Sequence, residues 1–282
     1  MTPDPAAPIG IFDSGLGGLT VARAVFERLP HDSTVYFGDT ARVPYGPKSP
    51  DVVRRYSLEI LDWLLRQRVK AVVVACNTST AHALEALRAL APVPVIGVIE
   101  PGARAAVSAA NGAPIGVIGT AGTIASGAYE RAIRALNPAA TVVSQACPLF
   151  VPLVEEGWFV HPATELVARA YLEPLQAAGV GVVVLGCTHY PLLKPLLGRI
   201  LGPEVTLIDS AEVVAEALAA ELTADGLAHR PTGPATHRFA VSDDPARFGL
   251  VGARFLGDRL GKAELVSLEA EHAVASGLQP SA

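Results

Sequence analysis

Two cysteines of the chain follow apolar runs of very similar sequence. Cys76 follows the run that begins at Val72, in the string VVVACNT, and Cys187 follows the run that begins at Val182, in the string VVVLGCTH. A short valine run is typical of a strand buried on both faces of a parallel sheet, and open α/β sheets bind ligands at the carboxyl ends of such strands. We therefore expect both thiols to reach one ligand.

Thiols in these positions can do acid and base chemistry. The residues after Cys76 and Cys187 carry hydroxyl, amide and imidazole groups. A helix N-terminus and neighbouring donors lower the pKa of a thiol, and a thiol with a pKa near neutrality takes up or gives a proton. A single cysteine at a strand end is more often a small core residue, but two in equivalent positions favour a functional site. Cys147, which precedes Pro148, is expected only to pack.

His189 leaves several interpretations open. It is a hydrogen-bonded core histidine, an ion partner of Cys187, or a metal ligand together with the cysteines and Asp13. The chain has no C-x-x-C or H-x-x-x-H pair from which a zinc site is usually built, so no metal is expected. A cysteine-histidine hydrolase also stays open, but it leaves Cys76 without a role.

A glycine-rich turn, DSGLGG from Asp13 to Gly18, follows the first predicted strand and opens a helix. Its glycines would let the backbone approach an anion at the helix N-terminus. The turn fails the dinucleotide fingerprint, because the third glycine would fall at Thr20, and it lacks the Lys-Ser/Thr pair of a phosphate-binding loop. A small carboxylate ligand fits better than a nucleotide, and a purely structural turn is the alternative.

Two further segments carry candidate site residues. The loop GDTARVPYGP at 38–47 follows the second predicted strand, and its proline and glycine content would hold Tyr45 and the flanking N–H groups rigidly against a polar ligand. A structural loop is the alternative. The segment 148–158 places Glu155 and Glu156 in an apolar setting. We expect one of these acids to be buried beside the site and the other to be solvated.

The lysines argue against pyridoxal phosphate, which needs a lysine for its Schiff base. The chain has four lysines, and none of them ends a predicted strand: Lys48, Lys70, Lys194 and Lys262. No cofactor is therefore expected, and two facing acid/base groups would do the work unaided.

The elements that must position these residues alternate between strand and helix. The predicted strands are Ile9–Phe12, Ser33–Gly38, Ala71–Ala75, Val95–Val98, Ile115–Ile118, Thr141–Ser144, Val180–Leu185 and Thr206–Ile208. The predicted helices are Leu19–Arg28, Pro50–Arg66, Thr78–Leu90, Ser126–Leu136, Pro162–Ala177 and Pro191–Ile200. This alternation is typical of a doubly wound α/β fold.

An internal repeat predicts two lobes. The string IGIFDSG from Ile9 is matched by IGVIGTA from Ile115, at about the same spacing as the two cysteines. The expected fold is α/β, with two pseudo-symmetric doubly wound lobes, mostly parallel sheets and the active site in the cleft between them. Lobe one would comprise residues 1–98 and 208–282, and lobe two residues 99–207.

The lobe boundaries depend on three stretches of sequence. Ile99–Gly102 is interpreted as the crossing into lobe two, and Leu207–Ser210, before an alanine-rich helix, as the return. The segment Thr232–Leu256 is expected to form a last strand and helix of lobe one. The tail from about Gly261 becomes polar, and its end is expected to fray.

Composition excludes several classes of protein. The chain has 282 residues, of which 50% are hydrophobic and 17% charged, and a net charge of −5 with no basic stripe, so nucleic acid is not an expected ligand. The N-terminus lacks the regions of a signal peptide, and no apolar run approaches the roughly 18 residues of a membrane span. A cytoplasmic protein is therefore expected. Three cysteines do not form a disulfide framework in a chain of this length, and in a reducing compartment a pair at strand ends is more often catalytic or metal-binding.

Five strings together resemble the glutamate racemase family, within the cofactor-independent aspartate/glutamate racemase superfamily. They are FDSGLGG at 12–18, GDTARVPYG at 38–46, ACNT at 75–78, FVPLVEEGW at 150–158 and LGCTHYP at 185–191. The resemblance extends from about Ile9 to Phe255. It implies an enzyme that supplies D-glutamate for bacterial peptidoglycan, works without a cofactor or metal, and forms a homodimer.

The resemblance also implies roles for individual residues. Cys76 and Cys187 would lie on opposite faces of the substrate Cα, with Cys76 taking the proton from D-glutamate and Cys187 from L-glutamate. Asp13 and His189 would assist the two thiols, and Glu155 would orient His189. The substrate's carboxylates and ammonium would be held by Asp13, Ser14, Tyr45, Gly46, Asn77, Thr78, Thr188 and His189.

Other functions remain open at this point. The enzyme could racemise another acidic amino acid, such as aspartate. A cysteine-dependent hydrolase or lyase of a similar diacid would need Cys187 but tolerate Cys76→Ser. A two-lobed amino-acid binding protein without turnover would bind its ligand without either thiol.

Overall fold

The computed structural model of the protein describes residues 4–228 and 233–268. Its strands are β1 (Ile9–Asp13), β2 (Thr34–Gly38), β3 (Ala71–Val74), β4 (Val95–Gly97), β5 (Ile115–Gly119), β6 (Val142–Ala146), β7 (Val182–Gly186), β8 (Thr206–Asp209), β9 (His237–Val241) and β10 (Ala263–Leu265). Its α-helices are α1 (Leu19–Arg28), α2 (Pro50–Arg66), α3 (Asn77–Leu90), α4 (Ile99–Ala110), α5 (Ala121–Ala125), α6 (Ala128–Leu136), α7 (Phe150–Glu155), α8 (Pro162–Ala177), α9 (Lys194–Leu201), α10 (Ser210–Ala224) and α11 (Pro245–Leu256).

The described strands form two sheets in which every pairing is parallel. One sheet has the order β10-β9-β2-β1-β3-β4, and the other has the order β6-β5-β7-β8. The order β2-β1-β3-β4 in the first sheet is repeated as β6-β5-β7-β8 in the second. The predicted α/β class and the predicted internal repeat are therefore confirmed, and the first sheet differs from the second by two added strands, β9 and β10.

The valine runs form strands because both of their faces are covered. Every residue of β1, β3 and β7 is buried. Within β3, Val73 packs into the cluster that contains Ile11, whereas Val72 and Val74 pack into the cluster that contains Phe12. Successive side chains of a strand point to opposite faces, so apolar residues at every position indicate helices on both sides.

The crossing from the first sheet to the second is a helix. Ile99–Gly102, interpreted from the sequence only as a crossing, forms the first turn of α4. Pro101 is tolerated there because the N–H groups of the first turn have no intrahelical acceptor. Gly102 brings α4 close to Tyr129, since a Cβ at Gly102 would lie 3.3 Å from the Tyr129 ring.

Other element boundaries also differ from the predictions. The helix predicted over Ser126–Leu136 begins at Ala128, as α6, because Gly127 before it has a φ of 64°, and the short helix α5 that precedes Ser126 was not predicted. Helix α7 and strand β10 were not predicted. The strand and helix expected within Thr232–Leu256 are present as β9 and α11, and β9 pairs with β2 of the first sheet. Thr232 itself and the end of the tail beyond residue 268 lie outside the described residues, so the fraying of the tail stays a prediction, as does the exact division into lobes. Among the described residues, no helix has the length and apolar character needed to cross a membrane.

A buried lysine connects distant parts of the chain beneath the first sheet. Lys70, just before β3, is fully buried and forms an ion pair with Asp32. Its ammonium group also donates to the carbonyl oxygens of Pro5 at 2.7 Å and Leu227 at 2.9 Å. The lysine therefore has a structural partner for each of its three protons.

Candidate active site

The candidate site lies where the two repeated sheets present the carboxyl ends of their central strands. Asp13 ends β1, and Cys76 lies two residues after β3. Thr120 directly follows β5, and Cys187 directly follows β7. The two cysteines occupy corresponding positions in the two repeats, and each sheet also contributes a polar residue, Asp13 or Thr120, at the carboxyl end of the neighbouring strand.

Cys76 caps the helix that follows its strand. It is the N-cap residue of α3, and its sulfur accepts the N–H of Ser79 at 3.4 Å. Only 5% of the residue is exposed, and it packs with Tyr45 and Val53. The thiol is therefore held in place by a helix N-terminus and an apolar wall.

The pKa of Cys76 is not lowered, as the sequence suggested, but raised to about 11. Burial is the largest cause, and the negative charge of Asp13 adds to it. Hydrogen bonding by Ser79 and Ser14 acts in the opposite direction and is weaker. The expectation was wrong because it counted the helix donors and left out the loss of solvation.

Asp13 connects Cys76 to the second sheet. One oxygen of its buried carboxylate accepts the N–H of Gly15 at 3.0 Å, and the other lies 3.5 Å from the hydroxyl of Thr188. Burial raises the pKa of Asp13, although the charge of His189 and backbone N–H groups oppose this. Asp13 therefore lies within the electrostatic reach of both Cys76 and His189.

The glycine-rich turn has its composition because the two sheets approach closely there. A Cβ at Gly17 would lie 2.2 Å from the hydroxyl oxygen of Thr188 and 2.4 Å from Nδ1 of His189. Real Cβ atoms do not approach other heavy atoms so closely. The hydroxyl of Thr20 donates to the carbonyl oxygen of Thr188 at 3.1 Å, which fixes the same approach. The turn is therefore a contact between the two halves, and its anion-binding role stays a prediction.

Cys187 is supported by a pair of charged side chains. Its sulfur lies 3.9 Å from Nδ1 of His189, and Nε2 of the same ring lies 3.0 Å from Oε1 of Glu155 at the end of α7. Burial would lower the pKa of His189, but its contacts with Cys187 and Glu155 raise it to about 10. The pKa of Glu155 is lowered by His189 in spite of burial. The imidazole is therefore a cation at neutral pH, beside the sulfur.

The loop at 38–47, which contains Tyr45, covers the thiol of Cys76. The hydroxyl of Tyr45 donates to Asp39, which also accepts from Ser242 at 2.8 Å, so the hydroxyl proton is already used within the protein. The ring packs on Cys76 instead. The next residue, Gly46, contacts the helix α5 that follows β5, because its carbonyl oxygen accepts the N–H of Gly122 at 2.9 Å.

The start of α3 presents polar groups to the same region. Tyr129 donates to Oδ1 of Asn77 at 2.7 Å, but the buried Nδ2 of Asn77 has no hydrogen-bond partner among the described residues. The hydroxyl of Thr78 lies 3.0 Å from that of Thr120 and 3.2 Å from that of Thr123. Three hydroxyls from the two halves therefore form one cluster.

Thr120, Thr123 and Tyr129 were not among the predicted site residues. The internal repeat contains a signal for Thr120, since this residue corresponds to Ser14 in the two aligned strings. The sequence holds no comparable signal for Thr123 or Tyr129, because their contacts depend on how α5 and α6 pack against α3.

The structure also places the other residues that the sequence analysis considered. Ser14 is half-buried and contributes to the hydrogen bonding of Cys76. Glu156 is exposed, as expected for the second acid of its segment. Cys147 is fully buried, and burial raises the pKa of its thiol. Lys194 pairs with Asp209 at 3.1 Å. Among the described residues, no three His, Cys, Asp or Glu side chains are grouped so that they could hold a metal ion.

Comparison with known proteins gives consistent matches over most of the chain. The model of the Asp/Glu/hydantoin racemase family matches residues 19–218. The chain is 55% identical over 268 residues to the glutamate racemase of Geobacter metallireducens, covering 95% of this chain and 99% of that protein.

Solved structures agree with the sequence matches. The structure of a glutamate racemase isoform from Bacillus anthracis has a TM-score of 0.90 at 40% identity and covers 93% of this chain and 98% of its own. That of the Francisella tularensis glutamate racemase in complex with D-glutamate has a TM-score of 0.89 at 38% identity, with 94% and 99% covered.

Proposed function

The chain belongs to the Asp/Glu/hydantoin racemase family, and from this membership we propose that it is a glutamate racemase that interconverts L- and D-glutamate without a cofactor. The observation that carries the proposal is the pair of buried thiols at the ends of corresponding strands in two repeated sheets, Cys76 after β3 and Cys187 after β7. The product D-glutamate would be used in peptidoglycan synthesis, as is general for glutamate racemases.

The proposed reaction exchanges one proton on each face of the substrate Cα. With D-glutamate, the thiolate of Cys76 takes the α-proton and becomes a thiol, and the electron pair of the C–H bond stays on Cα. The thiol of Cys187 then donates its proton to the opposite face and becomes a thiolate. The reverse sequence converts L-glutamate, and proton exchange with solvent restores the starting form of the enzyme.

The weak acidity of the α-proton sets the main energetic demand. The adjacent carboxylate opposes further negative charge at Cα, so donors must face that carboxylate. The first N–H groups of α3, at Asn77 and Thr78, have no intrahelical acceptor, and no described residue hydrogen-bonds to Nδ2 of Asn77. A cleft that excludes water strengthens these interactions.

We assign the predicted site residues to two tasks. His189, held by Glu155, stabilises the thiolate of Cys187, and Asp13 assists proton transfer at Cys76. The substrate is held by the groups around these residues: Asp13, Ser14, the backbone of Tyr45 and Gly46, Asn77, Thr78, Thr188 and His189. The contacts that support this assignment are those of Asp13 with Thr188 and of His189 with Glu155.

Glutamate is the proposed substrate because the matched relatives are named glutamate racemases and one of them was solved with D-glutamate bound.

We propose further that the enzyme acts in the cytoplasm, where reducing conditions would keep both thiols free. A homodimer is also proposed, and Trp158 and Val160, which are exposed, offer apolar area for an interface. Light scattering of the purified protein tests the dimer.

Proton NMR of purified, metal-free protein with L-glutamate in D2O tests the proposed reaction. Loss of the α-proton signal, together with decay of the optical rotation to zero, is the expected result. Racemisation of L-aspartate but not of glutamate would show that the substrate is wrong. If no amino acid exchanges its α-proton, the mechanism with two thiols is wrong.

A further inference from the structure

Ser79 lies beside Cys76 with a hydroxyl group that has no hydrogen-bond partner. It is the third residue of α3, and 0% of its surface is exposed. Its N–H donates to the Cys76 sulfur at 3.4 Å, but its Oγ is buried and forms no hydrogen bond to any described residue. Burying a hydroxyl without a hydrogen-bond partner costs free energy of folding, so a serine at this position needs a structural or functional reason.

Neighbouring buried hydroxyls are used differently. Ser57 in α2 is also 0% exposed, and its hydroxyl donates to the carbonyl oxygen of Val53 at 2.8 Å. Thr80, next to Ser79, donates to the carbonyl oxygen of Val74 at 3.1 Å. Helical serines and threonines commonly form such bonds to backbone carbonyls. The hydroxyl of Ser79 forms none and stays available to the sulfur that its own backbone already contacts.

We propose that the Ser79 hydroxyl donates a hydrogen bond to the Cys76 sulfur when that sulfur is a thiolate, and that Ser79 is therefore a positioning residue for the proton transfer at Cys76. The proposal rests on the proposed racemase function. It adds a residue that lies outside the substrate contacts and acts through the thiol.

The charged groups around Cys76 do not stabilise its thiolate, so a hydrogen-bond donor would contribute there. The titratable groups that face Cys76 are Asp13 at the end of β1, Tyr36 on β2 and Tyr45 in the loop. None of these three is a cation, and the carboxylate of Asp13 disfavours a second negative charge. The backbone N–H of Ser79 and the proximity of its hydroxyl both lower the pKa of the Cys76 thiol against the effect of burial, although the hydroxyl is not hydrogen-bonded to the sulfur in the structure. Hydrogen bonds to a charged acceptor are stronger than those to a neutral one, so the bond gains strength as the proton leaves.

The test measures Cys76 by itself in the full-length chain. Because the chain has three cysteines, the double substitution Cys147→Ala and Cys187→Ala leaves Cys76 as its only thiol. The rate of alkylation by iodoacetamide at fixed, mildly alkaline pH then reports the fraction of thiolate. This rate is compared between the parent, Ser79→Ala and the matched control Ser57→Ala, which removes an equally buried hydroxyl elsewhere.

Loss of one hydrogen bond to a thiolate is expected to raise the pKa of Cys76 by about one unit, so alkylation of Ser79→Ala slows about tenfold. Ser57→Ala is expected to react at the parent's rate. A Ser79→Ala rate within about twofold of the parent overturns the proposal. A large fall in the melting temperature of Ser79→Ala also overturns it, because the hydroxyl would then have a partner in the resting protein.

Racemisation by the chain with all three cysteines separates this proposal from the proposed function. In a plot of kcat/KM against pH, Ser79→Ala is expected to shift the rising limb to a pH about one unit higher. The plateau at high pH should be retained. An unshifted limb contradicts the proposal. If the parent does not racemise glutamate, the proposed function fails, and the alkylation rates still decide the role of Ser79.

Discussion

Cys76 and Cys187 end corresponding strands of the two sheets, but different groups support them. Cys76 caps a long helix, is faced by the carboxylate of Asp13 and has only neutral donors beside it. Cys187 precedes a short 3-10 helix, Tyr190–Leu193, and lies beside the charged pair of His189 and Glu155. An internal repeat has thus kept the position of the thiol and changed the means of stabilising its anion.

This difference fits what a racemase must do. The substrate and product are mirror images of equal free energy, so the equilibrium constant is one, and any variant must change kcat/KM equally in both directions. Each direction uses both thiols, one as the base and the other as the acid, so each sulfur is a thiolate in part of the cycle. Dipoles and hydroxyls on the Cys76 side and a cation on the Cys187 side are two ways to stabilise that anion.

The largest expected effect comes from removing either thiol. Cys76→Ala or Cys187→Ala should lower racemisation by at least about a hundredfold, because each thiol provides acid and base catalysis on one face. Cys147→Ala, which removes an equally buried thiol, should retain most of the activity. Circular dichroism can follow both the rate and the fold. If all three variants lost similar amounts of activity, the assignment of Cys76 and Cys187 as the catalytic thiols, with Cys147 as a packing residue, would be wrong.

A smaller loss is expected from Glu155→Gln. Without the carboxylate, the pKa of His189 falls and the thiolate of Cys187 loses part of its support, which should slow racemisation about tenfold. Only the step at Cys187 is affected. The primary isotope effect on kcat/KM should therefore rise with α-deuterated L-glutamate and fall with α-deuterated D-glutamate. An equal change for both enantiomers would show that Glu155 does not act on one side.

The smallest expected effect concerns stability on the side of Cys187. His189 has an ordinary pKa of 6.5 and a folded pKa of about 10, so its ion pair stabilises the fold fully below about pH 6.5 and loses this effect as the pH rises through 10. Glu155 has a lowered pKa, so its contribution is lost at low pH as it becomes protonated. Urea unfolding at several pH values should give a free-energy difference between the parent and Glu155→Gln that shrinks toward alkaline pH. A difference that is constant with pH would contradict the pairing.

The sequence predicted the features that arise from local pattern. The valine runs identified β3 and β7 because parallel strands buried on both faces read as continuous apolar runs. The two cysteines followed directly from these strands. The repeat of the string at Ile9 near Ile115 predicted two related halves, and the two sheets do share a strand order.

Properties that depend on tertiary contact were missed. Nothing in the sequence shows that Tyr45 and Val53 seal Cys76 from water, so the direction of its pKa shift was wrong. Helix α4 was not predicted, because Pro101 and Gly102 in its first turn are residues that usually interrupt helices. The partner of the Tyr45 hydroxyl, Asp39, was equally out of reach, since it depends on the bend of the loop.

The strand order of the first sheet has a consequence during synthesis on the ribosome. β9 and β10 complete this sheet beside β2, although they come last among the described strands. The second sheet, in contrast, uses four consecutive strands that end at Asp209. A chain that emerges from its N-terminus can therefore complete the four-stranded sheet first, while β2 keeps an open edge until His237–Val241 is made. The half of the cleft that carries Asp13 and Cys76 is translated early and completed late.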